Sequence, residues 1–443
     1  MALRVGFVIA LIVPLAGCNM QSAGDAETAT AVAIPTAPDT QANRQLASVL
    51  RAKSARGAAS GTALLAIVEK SLQSDPSLIA ARTAQTNSRA SLERTRDWIR
   101  PEATTSAQEL GGSVAVADLR VTQPLYEFGK RGARIAQAQQ QVAVQTFKYQ
   151  KSQSALTFDI MKAALDVTEA QAEIELNQRR ITAFQNALDQ ADQLSALNLI
   201  SQSDRQLAQV RLGQSEKDLR SAKVRLTQAT STWQRYAGTG TMPPQASIAG
   251  DLLRRFGLAS LDAALQQVGK NNLSVREIEL EKQILLRSIE LQARQGYPTL
   301  NAQGTHRAGN IDGRRTQLGI TLDFTLYSRN DRDALEDAKG DLAVKDAEIE
   351  EAQRQAGFKM RELWQSMTGS RDVAALEDQS VASLRTRAQN LEEQLGSGLI
   401  PFSDVVSAQT ELYSTEASAL KSRFNAERAA LDLLVLSGVI TAQ

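Results

Sequence analysis

The chain has 443 residues, a formal net charge of +1 and interspersed acidic and basic side chains, which excludes the basic stripe that a phosphate backbone requires and with it a nucleic-acid partner. One histidine and one cysteine leave no metal cluster, disulfide framework or histidine triad to assemble, so the chain reads as a non-enzyme with no cofactor and no metal. Aromatics at 4%, set against abundant Ala, Gln, Leu and Glu, favour long helices over a thick aromatic core.

Residues 1–17 carry Arg4, an apolar run from Val5 to Val13, and Leu15-Ala16-Gly17 ahead of the single cysteine, Cys18. A basic start, a short apolar stretch and small residues at the break make a secretory signal peptide, too short to span a bilayer. The Leu-Ala-Gly-Cys ending resembles the bacterial lipoprotein signal, which implies cleavage before Cys18 and lipid attachment to it. Asn19 in the next position implies outer-membrane sorting in a Gram-negative bacterium. Residues 18–60 are rich in Ala, Thr, Ser and Gln, contain Pro35 and Pro38, and read as a lipid-anchored N-terminal arm.

The first repeat, 61–236, opens with helical signal from Ala63 to Arg100, stopped by Pro101. Two β-strands follow at about 102–125, around a turn at Gly111-Gly112; Ala117, Leu119 and Val121 alternate with Asp118, Arg120 and Thr122. A long helical hairpin then occupies 131–236. Its outgoing arm, Ala133 to Leu197, spans on the order of 100 Å at 1.5 Å per residue. Apolar positions step by seven, as in Ile174-Ile181-Leu188 and Leu219-Leu226-Trp233, which is the period of coiled-coil packing. Residues 237–258, with Gly238, Gly240, Pro243 and Pro244, read as an inter-repeat linker.

The second repeat, 259–437, has the same order. Its helical signal runs from Ala259 to Gln295. Two strands lie at about 299–327, in which Leu318, Ile320, Leu322, Phe324 and Leu326 alternate with Gly319, Thr321, Asp323 and Thr325. One apolar face over about ten residues is the pattern of a transmembrane β-strand. His306, beside this hairpin, reads as an exposed turn residue. A second helical hairpin covers 331–437, with the heptad Val405-Leu412-Ala419-Ala426-Leu433, and 438–443 form a tail.

The two halves share sequence as well as order. Leu199-Ile200-Ser201-Gln202-Ser203-Asp204 is answered by Leu399-Ile400-Pro401-Phe402-Ser403-Asp404, and Ala208-Gln209 by Ala408-Gln409. So long a period is a duplicated half-molecule, not a solenoid unit. Four strands cannot close a barrel, and an open sheet edge in lipid leaves backbone groups unpaired, so strands that span a membrane require several copies of the chain.

These features resemble the TolC-like outer-membrane efflux protein family over nearly the whole mature chain. The resemblance rests on the duplication, on Gln123-Pro124-Leu125-Tyr126-Glu127-Phe128-Gly129 leaving the first strand pair, and on the two hairpin tips. It implies a mainly α fold with a small membrane β-barrel contribution: a homotrimer with a 12-strand β-barrel in the outer membrane and a 12-helix α-barrel in the periplasm. The function it implies is a channel-tunnel that passively conducts substrates from a periplasmic adaptor and an ABC or proton-driven inner-membrane pump, in efflux or type I secretion. Asn198, Leu199, Ile200, Gly398, Leu399 and Ile400 would form the tips that meet the adaptor. Asp204 and Asp404 would form an entrance gate, or cap the helices they begin. Asp118, Arg120, Thr321 and Asp323 would face the lumen. Asn198 departs from the family's tip glycine. The alternative is a lipid-anchored periplasmic coiled coil without a pore, which has no use for duplicated amphipathic strand pairs.

Overall fold

The computed structural model describes residues 60–110, 113–243, 253–254, 256–309, 313–324, 329–395 and 400–438. Each half carries two short helices, a strand pair and a long helical hairpin. The first half has α1 (Ser60–Ser74), α2 (Pro76–Arg96), β1 (Glu102–Leu110), β2 (Ser113–Tyr126), α3 (Lys130–Ala196) and α4 (Gln202–Ala237). The second has α5 (Leu261–Asn271), α6 (Leu273–Ala293), β3 (Thr299–Gly309), β4 (Gly313–Asp323), α7 (Arg329–Leu395) and α8 (Phe402–Ser437). Signal peptide, Cys18, most of the N-terminal arm, Gly398, Leu399 and the tail beyond Gly438 lie outside the described residues.

The opening helix of each half, expected to be continuous, is broken in two. Asp75 caps α2 by accepting from the amides of Ser77 and Leu78, with Pro76 at the first helical position. Asn272 does the same for α6, accepting from Ser274 and Val275. At both breaks the competing Asx side chain ends one helix and starts the next.

The four strands form one antiparallel sheet in the order β1-β2-β3-β4. The central pairing joins the two halves, and β1 and β4 are left as free edges. The long helices α3 and α7 run the length of both helical layers. Next to the sheet the contacts run α2–α3–α6–α7; beyond the middle of α3 they run α4–α3–α8–α7. In both layers α7 forms one edge, and α2 or α4 the other.

Heptad seams hold the distal layer. On α8 the stripe Val405, Leu412, Ala419, Ala426 and Leu433 is buried, and on α7 Met360, Met367, Ala374, Val381, Ala388 and Leu395 repeat the seven-residue step. On α4 the buried seam is Ala208, Ser215 and Ala222, small side chains that let α3 approach closely. Ile174, Ile181 and Leu188 on α3 are only half-buried. Its sealed positions near the tip are Phe184, Ala187 and Ala191, because α8 as well as α4 packs there.

The main core lies at mid-length, where α1 and α5 gird the long helices. Ile160, Val167, Trp233, Met360, Leu433 and Leu434 meet there. Leu253, Phe256 and Leu258 are buried in the same cluster, so the described end of the inter-repeat segment is packed rather than loose. Beside it Arg428 of α8 donates to Asp166 of α3 at 3.1 Å and also grips Glu169. Burial pushes the Glu169 carboxyl up, and Arg428 offsets only part of that shift.

Candidate functional site

Strand register sorts the sheet into two faces. One carries the rungs Ala103–Val121–Gly304–Leu318, Gln123–Ala302–Ile320 and Tyr126–Leu300–Leu322. A bulge between Pro124 and Tyr126 skips Leu125, and this brings Tyr126 onto the apolar face. The other face carries Thr104–Arg120–Thr305–Gln317, Ser106–Asp118–Arg307–Arg315 and Asn301–Thr321. Asp118, Arg120 and Thr321 therefore share the polar face, and Asp323, two residues beyond Thr321, shares it too. His306 lies inside β3, not in a turn; it is opposite Thr316 and its ring Nδ1 is 2.8 Å from that hydroxyl.

The apolar face is bare. Leu318 is 86% exposed and Ile320 70%, with Leu322, Phe324, Leu119 and Val121 also open. A soluble monomer rarely exposes a contiguous apolar sheet of this extent. Exposed aromatics collect where the strands meet the helices: Trp98, Tyr126, Phe128, Tyr297 and Phe324. In transmembrane β-barrels, aromatic girdles occupy the corresponding ends of the strands. Among the described residues no helix is long and apolar enough to cross a membrane.

The strand-to-helix junction depends on backbone conformation. Phe128 and Gly129 both have positive φ, 47° and 86°, turning β2 sharply into α3. Arg294 donates to the Gly129 carbonyl at 3.1 Å, and a Cβ on Gly129 would meet that guanidinium at 3.0 Å. Gln123 clamps the entry to β1, accepting from the Arg100 amide and donating to the Trp98 carbonyl, both at 2.9 Å.

At the far ends, the two hairpin tips share a core of Phe184, Ala187, Ala191, Leu395, Phe402, Val405 and Val406. Ile200 and Ile400, expected to be exposed, pack onto this core and join the tips. Among the described residues the large apolar side chains left open at the tips are Leu197 and Leu199, the latter 66% exposed. Asn198 adopts a left-handed φ of 55°, and the Leu199 amide donates back to the Leu194 carbonyl at 2.9 Å. Asn tolerates that conformation best after Gly, so it can make the left-handed turn at this tip that a glycine would otherwise make.

The two aspartates differ. Asp204 completes a capping box: its carboxylate accepts from the Ser201 amide at 3.2 Å and hydroxyl at 2.7 Å, while its own amide donates to that hydroxyl. Asp404 follows a Pro401 cap with no side-chain bond and is exposed. We predict that Asp204→Ala destabilises the first tip by about 1 kcal/mol, read as faster hydrogen exchange of the α4 first turn. Asp404→Ala should stay within about 0.5 kcal/mol of the parent. Equal effects would remove the distinction.

Among the described residues no group of His, Cys, Asp or Glu could hold a metal ion. No protein-family model matches the chain. It is 21% identical over 340 residues to outer membrane protein TolC of Escherichia coli strain K12, spanning 72% of this chain and 68% of that protein. A solved structure of CusC covers 85% of this chain and 92% of its own, with a TM-score of 0.71 at 13% identity. The outer membrane protein VceC from Vibrio cholerae covers 85% and 96%, with a TM-score of 0.67 at 14% identity. Sequence and structure comparisons point to the same group, and the fold is that of TolC-like channels.

Proposed function

We propose that this chain, which resembles the TolC-like outer-membrane efflux proteins in sequence and fold, is one subunit of a trimeric channel-tunnel in the outer membrane. One observation carries the reading. Sheet and helical layers end at open edges, and among the described residues the exposed large apolar side chains of the helices fall only on the edge helices. They are Ile79 on α2, Val210 and Val224 on α4, and Val344, Phe358, Val373 and Leu376 on α7. The inner helices α3, α6 and α8 show none. A head-to-tail ring covers both sets at once, pairing β4 with the next β1 and seating α7 against the next α2 and α4. Three copies give twelve strands, which leave an open lumen.

In such a ring the bare apolar face of the sheet meets lipid, and Asp118, Arg120, Thr321 and Asp323 line the lumen. Conduction is passive on this chain's part, with energy supplied by an inner-membrane pump reached through a periplasmic adaptor. The adaptor meets Leu197, Asn198 and Leu199 at one tip and Gly398 and Leu399 at the other, buttressed from within by Ile200 and Ile400. Asp404, with no capping duty, is the better gate candidate of the two aspartates.

Detergent-extracted protein should run as a heat-sensitive oligomer and produce unitary conductance steps in planar bilayers. A stable monomer that gives no conductance would overturn the assignment. Cys18 is on this reading the acylated N-terminus. Intact-mass spectrometry should find diacyl or triacyl addition there, and an unmodified terminus elsewhere would remove the anchor.

A further inference from the structure

The polar sheet face is charged unevenly along the strands. Near the helices it carries Glu102 and Asp323; Asp323 accepts from the Asn301 amide at 2.7 Å. Toward the hairpin ends lie Asp118, Arg120, Arg307 and Arg315, on two successive rungs. Arg307 engages both oxygens of Asp118, at 2.7 and 3.1 Å, so this carboxylate is committed. Among the described residues each of the two rungs then carries one positive charge per chain beyond that ion pair: Arg120 on the first, near enough to Asp118 to attract its carboxylate as well, and Arg315 on the second.

Both arginines line one groove of about 740 Å³, together with Gln303, Thr305 and the Asp118–Arg307 pair. Arg120 and Arg315 stand two strands and one rung apart, about 12 Å between backbones at ordinary strand spacing and rise. Two arginine side chains can close on one ligand across that gap. A guanidinium offers paired N–H donors that match carboxylate and phosphate oxygens.

We propose that this groove is an anion site at the outer mouth of the pore, selecting cargo that bears carboxylate or phosphate groups. The inference rests on the channel reading, because a ring of copies repeats the groove around one lumen. An anion leaving the tunnel passes the acidic rung of Glu102 and is then held by the basic rungs at the exit. The site is sided: it is reached directly from the hairpin end and only through the whole tunnel from the tip end.

The test is block of single-channel current by inorganic pyrophosphate, added to one side of a planar bilayer at a time. Pyrophosphate on the hairpin side should block the parent channel, and on the tip side much less. Arg120→Gln and Arg315→Gln should each weaken that block by about tenfold, as expected for loss of a charge-assisted hydrogen bond. The double Lys variant, which keeps the charge and loses the fork, should block at an intermediate level. Heat-sensitive oligomer on gels confirms assembly of each variant. A conducting parent that pyrophosphate leaves untouched, or blocks equally from both sides, or whose block survives both Gln substitutions, overturns the anion site and leaves the channel standing. A parent that forms no pore overturns the channel reading and the site with it.

Discussion

Ile320→Arg and Leu322→Arg are expected to abolish recovery of assembled protein from the outer membrane, whereas Thr321→Arg, between them in sequence, is recovered as oligomer. Ile320 stands opposite Ala302 on the bare apolar face, and Thr321 opposite Asn301 on the polar one. Arginine at the midplane of the lipid face costs about 2–4 kcal/mol. The proposed trimer would carry the substitution three times, so the total of about 6–12 kcal/mol rivals the whole stability of an ordinary domain. On the polar face the same guanidinium stays in water and alters only the conductance. Membrane fractionation with unheated and heated gels reads both outcomes. Equal loss in all three variants would mean that Thr321 does not face water, and the register-based assignment of lipid and lumen would fall.

That contrast was legible in the sequence because a strand's period is two, and the run from Leu318 to Phe324 alternates without interruption. The duplication was legible because Leu199-Ile200 and Leu399-Ile400 stand at the same place in each half. What they do there was not. Ile200 and Ile400 look like exposed turn residues locally, and it is the tip core, assembled from helices far apart in the chain, that half-buries them. His306 reads as a turn residue because Gly304 and Gly309 lie close by, while the ladder to β2 and β4 holds the segment extended. The breaks at Asp75 and Asn272 were readable as Asx caps, and Pro76 reinforces the first. The seven-residue stripe from Met360 to Leu395 was readable as well.

Gly438→Ala should be among the most damaging single-methyl changes in the chain. Gly438 ends α8 with φ of +63° and ψ of 9°, the left-handed cap conformation. A Cβ built there would lie 1.8 Å from the Asn271 carbonyl oxygen and 2.7 Å from its carbon. Those atoms are backbone at the end of α5 and cannot swing aside. Nor can α5 retreat freely, since the adjoining Asn272 is buried, caps α6 through its side-chain oxygen, and donates to the Leu436 carbonyl at 3.0 Å through its nitrogen. One asparagine thus ties the return helix of the second hairpin to the helices that lead to its strands. The first half makes the equivalent joint with a hydroxyl, Ser71 donating to the Tyr236 carbonyl at 3.0 Å. There Gly238 also has positive φ, 87°, but a Cβ on it would meet nothing within 4 Å. Gly238→Ala therefore carries backbone strain alone, about 1–3 kcal/mol. Gly438→Ala carries the milder strain of the αL region, about 1–2 kcal/mol, but adds an overlap with immobile backbone, of a kind that costs about 1–3 kcal/mol or more in packed interiors. Thermal unfolding of the two variants side by side should place Gly438→Ala clearly below Gly238→Ala. If they unfold together, the end of α8 has room to move, and the Asn272 joint does not clamp the second half.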